Sequence, residues 1–182
     1  MVGQRSMAGD RVRIVLLCED RAQERLLRPQ CRRRWGRDPR VIPLPAGKGS
    51  AEAWVRSQYA REVRLLRAKG QENVGLIVVT DGDNVGVATR KAALATELQR
   101  ASLDARSQEE RIAICVPTWS IETWILGLNG TSGVVETVSY KSQRKPDATA
   151  VKSAANAWPG SPAGCRLPSF EDALGELARI DR

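Results

Sequence analysis

The sequence predicts an α/β fold with a mostly parallel central sheet and helices on both faces. Short apolar runs alternate with longer amphipathic segments, which is the pattern of strand, helix, strand units. The length of 182 residues suits one such domain and is enough to bury a core. We expect a flexible N-terminus at 1–10, the α/β domain at 11–130 and a C-terminal extension at 131–182.

The first half of the domain contains two predicted strands and two predicted helices. RVRIVLLC at 11–18 is the apolar run of a strand, and the helical pattern after it contains Pro29, which is expected to kink or end the helix. The prolines of RVIPLP at 40–45 indicate a short strand at an edge or bend. A second helix is predicted from Ser50 until Gly70 stops it.

The second half of the domain continues the alternation. We expect a buried strand at 74–80, a helix at about 87–103 and a strand at 111–117. The helical segment SIETWILGL follows, with Ser120 as its candidate cap.

The C-terminal extension differs in composition. Residues 130–168 are rich in Gly, Ser, Pro and Lys, and one short helix is expected near 147–157. PSFEDALGELARI predicts a terminal helix, with Ser169 and Asp172 in the spacing of a capping box.

Basic residues outnumber acidic ones, 29 to 21, which gives a formal net charge of +8. Such an excess attracts polyanions such as nucleic acid or an anionic membrane surface. The excess is concentrated in RPQCRRRWGRDPR at 28–40. This segment predicts either a solvated arginine face or a nucleic-acid contact surface, whose candidate residues are Arg32, Arg33, Arg34 and Arg37.

Other features exclude whole classes of function. The absence of histidine removes Ser-His-Asp and Cys-His mechanisms and histidine metal sites. The four cysteines lack CxxC spacing, which argues against a zinc ribbon or a disulfide scaffold, and Cys18 and Cys115 are expected in the core. No apolar run approaches the ~18 to 20 residues of a membrane helix, and the N-terminus lacks a secretory pattern. We expect a cytoplasmic protein without a membrane partner.

Carboxylates follow two of the predicted strands. Glu19 comes directly after the first strand, and Asp81 and Asp83 come after the third, in VVTDGDNVG. Ligands of parallel α/β sheets bind at the carboxyl ends of strands, so these side chains are expected to converge. Each motif alone is often a turn or a helix cap. Together, mutually repelling carboxylates predict a cation site, and Mg²⁺ (or Mn²⁺) is the natural ion because it prefers oxygen ligands.

Five further side chains each have two interpretations. Glu122 either completes a metal shell or complements the dipole of its helix. Trp119 and Trp124 are expected to pack rather than to stack on bases. Lys141 and Lys145 lie in a basic segment that could neutralise charge in a transition state and contact nucleic acid.

An apolar strand ending in Glu, followed by one ending in Asp-x-Asp on an alternating chain, resembles the Toprim domain of topoisomerases, bacterial primases and OLD nucleases. PTWSIETWILGL, KSQRKPDA and PSFEDAL are similar to segments of small RloB-like proteins linked to phage defence. The resemblance covers roughly residues 11–128. It implies a Toprim/Rossmann-like fold, a partner such as an ATPase or another defence subunit, and metal and acid/base roles for Glu19, Asp81 and Asp83.

Two positions depart from the Toprim pattern. Asp20 stands where the family usually has glycine, and Gln23 stands where a second acid is common, which favours one Mg²⁺ ion over two. The sequence therefore predicts a Mg²⁺-dependent nuclease in phage defence or DNA repair. Two alternatives stay open. One is a non-catalytic Toprim-like module that binds nucleic acid or a partner, and the other is a response-regulator receiver with Asp81 as acceptor, which the long spacing from Glu19 disfavours.

Overall fold

A computed structural model describes residues 12–45, 50–70, 73–142, 146–158 and 166–182. The strands are β1 (Arg13–Cys18), β2 (Arg40–Val41), β3 (Val74–Val79) and β4 (Ile112–Cys115). The helices are α1 (Arg21–Trp35), α2 (Ala51–Ala68), α3 (Gly86–Arg100), α4 (Ile121–Leu128), α5 (Ala148–Ala157) and α6 (Pro168–Leu177), and a 3₁₀ helix (Ala178–Asp181) follows. The N-terminus at 1–10, the glycine loop at 46–49 and Lys145 lie outside the described residues.

The four strands form one parallel sheet in the order β2-β1-β3-β4. Successive side chains of a strand point to opposite faces, so neighbours such as Leu16 and Leu17 enter different cores. The cluster that contains Leu16 includes residues of α1, α4, α5 and α6, whereas the cluster that contains Leu17 includes residues of α2 and α3. The continuous apolar strands are explained by this double cover, and the predicted α/β fold is confirmed.

The C-terminal segment supplies part of the core. Val151 of α5 and Leu177 of α6 belong to the same buried cluster as residues of β1 and β3. Three aromatic rings of that cluster meet edge to face with centroids 4.4 to 5.8 Å apart, those of Trp124, Trp158 and Phe170. The last helices therefore stabilise the sheet that carries the predicted site.

Side chains occupy the free edge of β4. The backbone N–H of Ile114 donates to Oε2 of Glu176 at 3.0 Å. The carbonyl of Ile112 accepts from Arg106 at 2.9 Å and from Arg179 at 3.2 Å. An open strand edge is a template for pairing with another chain, and these contacts saturate two of its backbone groups.

Two local predictions differ from the structure. Pro29 does not end its helix, because α1 continues to Trp35, and the carbonyl that Pro29 leaves without an amide partner belongs to the exposed residue Arg25. Ser169 does not cap α6, because Leu167 is the N-cap residue and Pro168 fills the first helical position. The Ser169 hydroxyl instead accepts from the indole N–H of Trp124 at 2.8 Å.

No helix among the described residues is both long and apolar enough to cross a membrane. The expected core positions of Cys18 and Cys115 are confirmed, since both are buried. Ser120 is the N-cap residue of α4, as predicted, but its side chain makes no capping hydrogen bond there.

Candidate functional site

The chain reverses its direction across the sheet between β1 and β3. It leads from β1 outward to β2 and then returns to β3 on the other side of β1. In parallel α/β sheets, ligands bind outside the carboxyl ends of the strands at such a reversal. Glu19 directly follows β1, and Asp81 follows β3. Both predicted carboxylates therefore flank the position where a ligand is expected.

Glu19 is hydrogen-bonded to the segment that follows β3. Its Oε2 accepts from Oγ1 of Thr80 at 2.8 Å and from the backbone N–H of Asp81 at 2.9 Å. These two hydrogen bonds thus end on one carboxylate oxygen. The contact fixes two strand ends that are 62 positions apart in the sequence.

Gln23 is a site residue that the sequence analysis did not assign. Its side chain is fully buried, its Nε2 donates to Oδ1 of Asp81 at 2.8 Å, and its Oε1 accepts from the backbone N–H of Glu19 at 2.7 Å. Asp20 caps α1 by accepting from the backbone N–H of Gln23 at 2.8 Å. The signal that could have found Gln23 is its place four residues after Glu19, where the Toprim resemblance leads one to expect an acid.

Asp81 is the buried carboxylate of the group, only 2% exposed. Its Oδ1 accepts from Gln23 and also from the backbone N–H of Ile121 at 3.2 Å. Burial raises the pKa of Asp81, and the negative charge of Glu19 raises it further, to about 7. Asp81 therefore changes its protonation state near neutral pH.

Asp83 is held against the loop that follows β4. The backbone N–H of Gly82 donates to the carbonyl of Pro117 at 2.9 Å, and that of Asp83 donates to the carbonyl of Trp119 at 2.8 Å. A Cβ atom added to Gly82 would lie 2.9 Å from the same Pro117 oxygen. The middle residue of the Asp-Gly-Asp turn must therefore be glycine for the two loops to approach this closely.

Lys141 joins the two aspartates. Its Nζ lies 3.5 Å from Oδ2 of Asp81 and 3.2 Å from Oδ1 of Asp83. Partial burial acts to lower the pKa of Lys141, but the charges of Asp81 and Asp83 outweigh it and leave that pKa above its usual value. The ammonium group is therefore a charged cation shared by two carboxylates.

Arg90 contacts the carboxylate oxygen of Asp83 that Lys141 leaves open. Its guanidinium lies 2.9 Å from Oδ2 of Asp83 and 2.8 Å from Oε1 of Glu52. An open cleft of about 410 Å³ lies beside Asp83 and Arg90, and we call it the aspartate cleft. Its lining consists of Asp83, Asn84, Arg90, Trp119, Ser139 and Lys141.

The carboxylates fit a divalent ion held by two ligands. The described residues contain no group of three or more His, Cys, Asp or Glu side chains placed to hold a metal together. Asp81 and Asp83 do share a cation, the ammonium of Lys141. Mg²⁺ commonly binds through one or two carboxylates and keeps several waters. Asp81 and Asp83 therefore suit Mg²⁺ as ligands. Glu19 accepts a hydrogen bond from the backbone N–H of Asp81.

Glu122 and Trp124, which the sequence analysis also named, are not part of the Asp81–Asp83 pair. Glu122 lies half-buried in the first turn of α4, where its charge complements the helix dipole. Within the described part of the chain, Glu122 makes no hydrogen bond or ion pair with Asp81 or Asp83. Trp124 is fully buried in the aromatic cluster, as expected.

The arginine segment lies at the other end of the sheet. Helix α1 leads away from Glu19, and its 15 residues span roughly 22 Å. The side chain of Arg32 pairs with Asp38 at 2.6 Å, and Arg34 pairs with Asp181. The structure therefore does not bring together the carboxylates and the predicted contact residues Arg32, Arg33, Arg34 and Arg37.

The chain matches no family model, no curated protein and no solved structure.

Proposed function

We propose that the chain is a Mg²⁺-dependent nucleic-acid phosphodiesterase, a nuclease of the kind that the Toprim resemblance implies. The observation that carries the proposal is the sharing of one cation by Oδ2 of Asp81 and Oδ1 of Asp83 at the carboxyl end of β3. The two oxygens belong to different residues of one tight turn, so they are preorganised for a cation. Mn²⁺ prefers similar oxygen ligands and would be an alternative ion.

Each residue of the group has a distinct role in this proposal. Mg²⁺, when bound, would act as a Lewis acid towards the phosphate and would lower the pKa of a water molecule. Asp81 and Asp83 would hold the ion, and Glu19 orients Asp81 through the backbone N–H that it accepts. Lys141 carries a positive charge at the same place, which suits it to neutralise negative charge that develops on a phosphate oxygen.

The charge of the chain supports a polyanionic substrate. The net charge of +8 attracts nucleic acid over long range, even though the arginines of α1 lie too far away to hold the reacting phosphate. Three buried free thiols, those of Cys18, Cys31 and Cys115, suit the reducing cytoplasm. A role in phage defence or DNA repair, beside an ATPase or another subunit, is the biological setting that we propose.

A receiver-type phosphoacceptor is less well supported by the geometry. Asp81 is buried, and its Oδ1 already accepts two hydrogen bonds. Its Oδ2 faces Lys141 at 3.5 Å. An aspartyl phosphate at Asp81 would therefore have to displace Lys141, and incubation with acetyl phosphate should leave the protein unlabelled.

The proposed function is tested by cleavage of plasmid DNA, single-stranded DNA and RNA with Mg²⁺, Mn²⁺ or EDTA. The variants are Asp81→Asn and Asp83→Asn, and the matched control is Glu109→Gln, an exposed acid before β4 at the opposite end of the sheet. We expect EDTA and each aspartate variant to reduce cleavage about a hundredfold or more, as for loss of a metal ligand, with the control unchanged. Nucleic-acid binding without any cleavage would instead identify a non-catalytic module.

A further inference from the structure

We propose that Trp119 is a stacking platform for an unpaired nucleobase beside the carboxylates, so that the substrate is single-stranded or locally unpaired nucleic acid. The inference rests on the proposed function, because it names the substrate class of the same site. The packing of the protein does not explain the position of Trp119.

Trp119 differs from the other four tryptophans of the chain. Trp35, Trp124 and Trp158 belong to the buried cluster on one face of the sheet, and Trp54 packs against the cluster on the other face. Among the described residues, Trp119 is a member of neither cluster, and it is half-buried at the wall of the aspartate cleft. A large apolar ring in this position is available to a ligand that enters the cleft.

The backbone at Trp119 is unfavourable for a tryptophan. Its φ of 62° lies in the left-handed region, which glycine and asparagine adopt more readily than bulky residues. The surrounding structure holds it there, since its carbonyl accepts the N–H of Asp83 at 2.8 Å and the two residues form a β-bridge. Such strain concentrates at functional positions, and here it places a tryptophan directly opposite one of the proposed metal ligands.

The other walls of the aspartate cleft suit a nucleotide. Lys141 offers a positive charge for a phosphate, and Asn84 and Ser139 offer donors and acceptors for a base edge. Bases inside a duplex have both faces covered by their neighbours, so an aromatic side chain can stack only on a base that has left the helix or lies at an end. Stacking tolerates any base because each has a π-face. The cleft thus favours unpaired substrates without strong sequence preference.

The test compares two fluorescein-labelled oligomers of equal length and charge, an oligothymidylate and its abasic analogue. Binding is measured by fluorescence anisotropy at low salt in EDTA, with wild type, Trp119→Gly, Trp119→Phe and the control Trp54→Leu. We expect wild type and the control to bind the thymidine oligomer about tenfold or more tightly than the abasic one, the usual range for one stacked base. Trp119→Gly should lose this difference, and Trp119→Phe should keep most of it.

The choice of glycine keeps the experiment interpretable, because glycine adopts the positive φ without strain, and Trp119→Phe keeps an aromatic ring at the same backbone position. Equal binding of both oligomers by wild type, no binding of either, or a preference that survives in Trp119→Gly would overturn the proposal. The assay contains no divalent ion, so its outcome is separate from cleavage. Base preference without cleavage would defeat the proposed nuclease only, and cleavage without base preference would defeat the stacking platform only.

Discussion

Gln23 donates from Nε2 to Oδ1 of Asp81 at 2.8 Å, across 58 positions of the sequence. The amide satisfies a buried carboxylate oxygen without adding a charge beside it. An acid at the same position would place a third negative charge next to Asp81 and Glu19. The neutral residue therefore avoids a third negative charge, and Asp81 and Asp83 are the ligands that we propose for a single divalent ion.

Replacing Gln23 by glutamate should make stability depend on Mg²⁺. In EDTA, Gln23→Glu should lower the free energy of unfolding by about 1 to 3 kcal/mol, because a donor is lost and carboxylates face each other. Mg²⁺ should restore more stability to this variant than to wild type. Urea denaturation with and without Mg²⁺ measures both effects. Gln23→Met is the control, since it should be destabilised without any greater response to Mg²⁺ than wild type shows. Equal stability of wild type and Gln23→Glu in EDTA would contradict the account.

Asp81 should make the protein less stable as the pH rises. Its pKa is about 7 in the folded protein and about 3.9 in an unfolded chain, so between these values the folded state holds a proton that the unfolded state has released. The stabilising contribution is complete below about pH 4 and is lost as the pH rises through 7. Relative to wild type, Asp81→Asn should therefore gain roughly 1 to 4 kcal/mol between pH 4 and pH 8. If the free energies of unfolding of the two proteins in EDTA changed in parallel with pH, the raised pKa of Asp81 would be ruled out.

Two glycine substitutions should have opposite effects on stability. Gly82→Ala places a methyl group 2.9 Å from the carbonyl oxygen of Pro117 and should cost about 1 to 3 kcal/mol through strain, while moving Asp83 and weakening Mg²⁺ binding. Gly175→Ala lies in α6, where the added carbon would meet no atom within 4 Å apart from its chain neighbours and its own helix backbone, and it should stabilise by about 0.5 to 1 kcal/mol. The unfolding temperatures of both variants, compared with that of wild type, test the two predicted changes in stability. A Gly82→Ala protein as stable as wild type would show that the two loops can separate freely.

Glu176 should contribute to stability above mildly acidic pH. Burial acts to raise its pKa, but hydrogen bonds from Arg106 and from the backbone N–H of Ile114 outweigh this and lower it to about 2. The contribution is therefore present above the unfolded pKa of about 4.3 and is lost as the pH falls towards 2. Glu176→Gln should cost about 1 to 2 kcal/mol at pH 7, discounted for partial solvent exposure, and almost nothing near pH 2. Urea titrations across that range should show the two curves converging, and a constant gap would contradict the prediction.

The sequence predicted the parts of the site that follow from strand order. Apolar runs located β1 and β3, and parallel strands place the residues after them at one edge, so Glu19 and Asp81 meet as expected. The direction of α1 could also have been predicted from the sequence. A helix that follows a parallel strand leads back along the sheet, and this places Arg32 and Arg34 far from the carboxylates.

Other parts depended on tertiary contacts that local patterns do not contain. Lys141 lies in a segment without regular secondary structure, so no periodicity could place its Nζ between two aspartates. Ser169 has the spacing of a cap, but Pro168 takes the first helical position, and the freed hydroxyl bonds to Trp124 and the backbone N–H of Thr118. The strained backbone of Trp119 depends on its pairing with Asp83, which no short sequence window reveals.

We propose that Asp81 and Asp83 form a divalent-ion site at the position that the ammonium group of Lys141 occupies. Calorimetric titration of Mg²⁺ into metal-free wild type, the double variant Asp81→Asn/Asp83→Asn, and Lys141→Met tests it most directly. We expect wild type to bind one ion with release of a proton from Asp81. The double variant should bind none, and Lys141→Met should bind more tightly because the competing ammonium is gone. Undiminished binding by the double variant, or no binding by Lys141→Met at millimolar Mg²⁺, would contradict it.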